Sequence, residues 1–175
     1  MKMNVDMSTI DNILSGAFDP ITRNALFNSL DPIGSGNLKY SSILKWVNKT
    51  KGLEVFQRNN FLLLHAFNRS KCLKPSNSQL ENETLQRSEF GDFLKHLRQN
   101  LFFAQIFERM DTEGKVKITR PIFEKIWPQL RTLIKTEIVS PEMTFSELDR
   151  DGNGVITIGE FLDWAWKRQL TAIKI

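Results

Sequence analysis

Asp149, Asp151, Asn153, Val155, Thr157 and Glu160 fall at positions 1, 3, 5, 7, 9 and 12 of one twelve-residue stretch. Side-chain oxygens at the first three, a main-chain carbonyl from Val155, a hydroxyl able to reach through a water and a carboxylate able to give both oxygens make a seven-fold cage. A hard cation of calcium's size accepts that cage and magnesium resists it, so Ca²⁺ is the expected ion. Gly154 stands at position 6, where the sharp turn needs positive φ. A plain Asp-Gly-Asn-Gly hairpin turn would explain the glycines, but neither Glu160 nor the apolar Ile156 at position 8.

Such a loop needs a helix on each side, and its short strand and apolar helix faces need a second unit to cover them. Relatives of 149–160 should therefore recur along the chain. The template is an apolar residue before position 1, another at position 8 and an aromatic at position 13, filled by Phe161 in the intact copy. Asp111–Ile122 fits it with Met110, Ile118 and Phe123, behind a helical row of Phe103, Ile106 and Phe107. Lys115, Val116 and Ile122 at positions 5, 6 and 12 remove the cage there; Asp111 and Glu113 leave room only for a weakly held ion.

Asp31–Ser42 is a third copy, entered by a helix that Asp19 caps and Pro20 opens, with Leu26, Phe27 and Leu30 as its apolar face. Gly36 and Leu38 keep positions 6 and 8, while Ile33 and Ser42 remove the carboxylates of positions 3 and 12. In the fourth copy, Val55, Phe56, Leu63, Leu64 and Phe67 predict one long entering helix ending near Asn68. Leu85, Glu89 and Phe90 fit positions 8, 12 and 13 of its exit, which implies about ten inserted residues of loop composition, Ser70 to Gln79.

The predicted fold is all-α: two lobes of paired EF-hand (helix-loop-helix) units, with Leu38 bridged to Leu85 and Ile118 to Ile156. Residues 1–18 form an N-terminal extension, with a short helix starting at Ser8 and Asp11 completing its capping box. Residues 19–98 form a pair with two degenerate loops, and 99–175 a pair in which only 149–160 is intact. A helix from the 88–98 segment runs through the boundary.

Charge is uneven. The net balance is +4, yet residues 1–75 carry ten Lys/Arg against five Asp/Glu, and residues 76–175 carry fourteen against fifteen. The basic half reads either as a solvated surface or as a face that docks on an acidic protein partner. Aromatics do not interleave with the basic clusters, so nucleic acid is not an expected partner. No apolar run approaches the ~20 residues that span a bilayer. The opening Met1-Lys-Met-Asn-Val-Asp lacks a signal peptide's apolar region, and Lys2 stands where N-myristoylation needs glycine, so no membrane anchor is expected. The single cysteine, Cys72, allows no internal disulfide and fits a cytoplasmic monomer. An enzyme is not expected: His65 and His96 lie in helical patterns, and no base accompanies Cys72.

With these motifs the chain resembles the four-EF-hand proteins of the calmodulin superfamily. More narrowly it resembles the flagellar calcium-binding proteins of protists, the calflagin type. That likeness rests on the lengthened second unit, Met110-Asp111, Trp127-Pro128-Gln-Leu, and Phe145-Ser-Glu-Leu-Asp-Arg-Asp-Gly-Asn-Gly leading to Glu160-Phe161-Leu-Asp-Trp164-Ala. It covers most of residues 20–170 and implies Ca²⁺ as ligand and a cilium or flagellum as location. Two departures stand out: those proteins are acylated on an N-terminal glycine, where this chain has Lys2, and they keep more than one working loop. Two functions follow. One is a calcium-responsive adaptor with one site; the other is a constitutive structural protein of a cilium or axoneme, on tubulin or another acidic scaffold, in which calcium is stabilising or incidental.

Overall fold

The computed structural model describes residues 6–71, 84–134, 140–168 and 170. These fall into two compact units, one within Asn4–Asn100 and one within Leu101–Ile175. Cys72 and most of the predicted insertion lie outside the described residues. Among the described residues, no helix is long and apolar enough to cross a membrane.

The first unit opens with α1 (Met7–Ile13) and a 3₁₀ turn (Ser15–Ala17), then α2 (Pro20–Leu30), β1 (Asn37–Lys39) and α3 (Tyr40–Lys49). It continues through α4 (Glu54–Arg58), α5 (Asn60–Ser70), β2 (Thr84–Gln86), a second 3₁₀ turn (Arg87–Glu89) and the first half of α6 (Phe90–Met110). Asp19 caps α2 as expected, accepting from Ile21 N and Thr22 N with Pro20 at the first turn. β1 and β2 pair antiparallel, Leu38 facing Leu85, and both residues are fully buried. Phe27 meets Phe90 edge-on at 5.3 Å, so the helix entering one loop packs on the helix leaving the other.

Two expectations for this unit are corrected. The predicted long helix over 55–68 is two helices, α4 and α5, parted at Asn59 (φ −127°, ψ 61°). Asn59 N and Nδ2 both donate to Val55 O, at 3.0 and 2.9 Å, closing the end of α4. α5 then runs on to Ser70, past the predicted end near Asn68, and Leu64 of that apolar row is 40% exposed. The N-terminal helix starts at Met7, not Ser8: its cap is Asp6, which accepts from Ser8 N at 3.0 Å. Asp11 completes no capping box and instead accepts from Arg98 Nε and Nη2 at 2.6 and 3.0 Å, tying α1 to α6.

His96 on α6 lies 2.7 Å from Ser70 Oγ through Nδ1, and burial, then Arg69, pushes its imidazole down to about 4. The unfolded chain takes up a proton near pH 6.5 that the fold refuses, so stability present above 6.5 is lost as pH falls and levels off below about 4. NMR titration should place the His96 midpoint near 4, and the urea midpoint should drop across that window. A midpoint at 6.5 would show His96 solvated.

The second unit holds the rest of α6, β3 (Lys117–Thr119), α7 (Arg120–Ile134), α8 (Pro141–Leu148), β4 (Val155–Thr157) and α9 (Ile158–Lys167). β3 and β4 pair antiparallel with Ile118 opposite Ile156. Phe103, Phe107, Phe123, Phe145 and Phe161 are all 0–1% exposed. Phe123 packs on Phe145 at 5.6 Å, and Phe161 on Phe107 at 5.8 Å. The protein is thus all-α apart from two short antiparallel strand pairs.

Candidate metal centre

Three loops open on an aspartate, and each uses it alike at one oxygen. Asp31 Oδ2 accepts from Gly36 N at 2.7 Å, Asp111 Oδ2 from Val116 N at 2.6 Å and Asp149 Oδ2 from Gly154 N at 3.0 Å. Positions 4 and 6 both take positive φ: Gly34 and Gly36, Gly114 and Val116, Gly152 and Gly154. A motif reading that weighs only position 6 misses position 4, although glycine stands there in all three loops. Val116 holds φ 59° without being glycine, a conformation that costs a β-branched residue on the order of 1–3 kcal/mol. The β3–β4 pairing and the flanking helices keep that turn even where the ligands are gone.

The loops part at the other oxygen. Asp31 Oδ1 accepts from Ser35 N at 2.9 Å and Ser35 Oγ at 2.8 Å; Asp111 Oδ1 accepts from Lys115 N at 3.0 Å. In both silent loops the residue at position 5 therefore closes the cage with its own N–H. In 149–160 the equivalent Asn153 N donates to Asp151 Oδ1 at 3.1 Å, and Asp149 Oδ1 is buried with no hydrogen-bond partner. An unpaired buried carboxylate oxygen is costly unless a cation meets it.

Ligand oxygens of Asp149, Asp151 and Glu160 all lie within 4.8 Å of one another, the one such cluster among the described residues. Carboxylates this close repel until a positive charge sits among them. In the silent loop 111–122 a built-in cation takes that part: Lys115 Nζ pairs with Glu113 Oε2 at 2.8 Å, and that bond, with Asp111 nearby, holds Lys115 above its usual range.

Glu160 has a second task. Its Oε2 accepts from Thr157 N at 2.9 Å and Thr157 Oγ1 at 2.7 Å, its N–H donates to Thr157 Oγ1, and Oε1 accepts from Arg150 N at 3.0 Å. This is a capping box at the start of α9. Gln86 and Glu89 form the same box ahead of α6. A position-12 glutamate thus serves its helix apart from any ion.

The structure brings Asp149, Asp151 and Glu160 together and turns Asn153 onto its neighbours: Nδ2 donates to Asp151 Oδ2 at 2.7 Å, and Oδ1 accepts from Val155 N at 2.9 Å. Val155 begins β4, and Thr157 is engaged in the cap. The oxygens of Asn153 and Thr157 keep a lone pair for a cation or its water. The donor set is all oxygen, as calcium requires.

Flagellar calcium-binding proteins of trypanosomes are 25–26% identical to this chain. The flagellar calcium-binding protein TB-17 of Trypanosoma brucei brucei is 26% identical over 150 residues, 85% of this chain and 64% of that protein. The flagellar calcium-binding protein of Trypanosoma cruzi is 26% identical over 155 residues, 86% of this chain and 72% of that one. The chain has the fold of paired helix-loop-helix (EF-hand) units. It spans just under two thirds of the length of TB-17. No protein-family model matches it. A solved structure, a homolog of programmed cell death 6 protein from Leishmania major Friedlin, covers 91% of both chains at 16% identity and a TM-score of 0.36.

Phe161 and Trp164, which follow the site, are core. Phe161 is fully buried and Trp164 is 3% exposed, its Nε1 donating to Glu147 Oε2 at 3.2 Å. Trp166 is half-buried and meets Phe103 edge-on at 6.1 Å.

Proposed function

We propose that this EF-hand protein binds one Ca²⁺ in loop 149–160 and acts as a calcium-responsive adaptor through protein contacts. Asp149, Asp151, Asn153, the Val155 carbonyl, Thr157 through a water, and Glu160 hold the ion. The observation that carries this reading is the buried, unpartnered Asp149 Oδ1 in a loop whose silent relatives satisfy the same atom internally. Calcium supplies the positive charge that the three carboxylates lack. Sensor loops span ~10⁻⁷ to 10⁻⁵ M, and this one belongs toward the weaker end because its partner loop adds no cooperativity. Glu160 joins the ion to α9, so binding bears on how Phe161 and Trp164 pack. A groove of about 520 Å³ lined by Ile106, Met110, Ile126, Pro128 and Leu130 offers a surface for an apolar partner segment.

A second reading is a constitutive structural protein of a cilium or axoneme, docked on tubulin or a like acidic scaffold. It is favoured by silent loops that keep their shape through their own bonds. The names of the trypanosome relatives support a flagellar location under either reading. Calorimetric titration is expected to find one calcium site per chain; zero sites, or two of similar affinity, would overturn the loop assignments. Identical partner recovery in calcium and in chelator would leave only the structural reading.

A further inference from the structure

α3 turns Ile43 and Val47 wholly into the core and leaves Ser41, Lys45, Asn48 and Lys49 exposed. Lys39 is exposed just ahead of the helix, Lys51 just past it, and Arg58 at the end of α4. From residue 32 to residue 53 the chain carries four lysines and no Asp or Glu. Lys45 and Lys49 stand one helical turn apart, a like-charge spacing that weakens a helix, so helix stability does not account for them. Among the described residues, no ion pair engages Lys39, Lys45, Lys49, Lys51 or Arg58. Glu54, the nearest carboxylate in sequence, folds back to accept from Gly52 N at 3.0 and 3.1 Å.

We propose that this face of the N-terminal unit docks on an acidic segment of a protein partner, a stretch rich in Asp or Glu. Four of its five cations are lysines, hydrated point charges on flexible stems that suit a mobile row of carboxylates rather than the forked recognition of phosphate. A lipid surface fits less well: Ile43 and Val47 are spent on the core and Leu44 and Trp46 are part-buried, so no apolar side chain of α3 stands fully exposed beside the charges. The exposed Phe18, Ile21, Ile33, Phe61 and Leu64 of this unit lie outside α3. The inference rests on the adaptor part of the reading above and needs no calcium.

The test is binding of fluorescent polyglutamate to the full chain by anisotropy, at 50 and 200 mM NaCl, with and without calcium. Saturable binding is expected, weakened about tenfold by the added salt and about tenfold by Lys45→Glu with Lys49→Glu. Lys45→Gln with Lys49→Gln should give a smaller loss with an unchanged circular dichroism spectrum. The exposed pair Lys117→Glu with Lys125→Glu, in the other unit, should change little. No salt-sensitive binding, an equal loss in that control pair, or binding to phosphatidylserine vesicles in place of polyglutamate would overturn the proposal. Calcium stoichiometry measured on the same variants separates this outcome from failure of the loop assignment.

Discussion

Glu160→Gln is expected to weaken calcium binding by about 100-fold or more, because it removes one ligand charge and the bidentate grip at once. The readout is tryptophan fluorescence, since Trp127, Trp164 and Trp166 all lie in the unit that holds the loop. The substitution is informative because glutamine serves a capping box as well as glutamate does. The start of α9, where Oε2 meets Thr157, should therefore survive, and the calcium-free chain should melt at nearly its original temperature. Retained calcium response in Glu160→Gln would place the ion elsewhere. A large fall in the calcium-free melting temperature would show instead that the glutamate serves mainly the helix.

Phe161→Ala is expected to cost about 3–5 kcal/mol in urea denaturation without calcium. Phe161 has no exposed surface and contacts Phe103, Phe107 and Trp164, so its loss opens a cavity that three large rings cannot readily refill. Phe161→Leu keeps most of the volume and should cost far less. A cost under about 1 kcal/mol for the alanine variant would mean that the ring is poorly packed without the ion, and that calcium orders it. The two substitutions are adjacent in sequence yet separate ligand from core.

Much of this was legible because it is local. The alternation of oxygen ligands from Asp149 to Glu160, the cap and proline at Asp19–Pro20, and the helical row before Asp111 each depend on neighbours within a turn or two. The strand partners were legible as well. An apolar residue at the same loop position in every copy must meet its mate, and Leu38 faces Leu85 as Ile118 faces Ile156. The break at Asn59 was not legible, since the apolar spacing runs on through it while the backbone leaves helical φ and ψ there. Asp11 misled for a related reason: its spacing suits a cap, but Arg98, 87 residues away, claims it.

The chain alone determined which loop carries oxygen donors at the spacing calcium needs and which loops lack them, because ligand chemistry is written in residue types. Only the tertiary structure decided how each loop's first aspartate is paired. Asp31 and Asp111 are closed by the N–H of position 5, whereas Asp149 keeps one buried oxygen without a donor. The physical reason is that a carboxylate has two oxygens and several donors in reach, and backbone geometry, not residue identity, decides which of them meet.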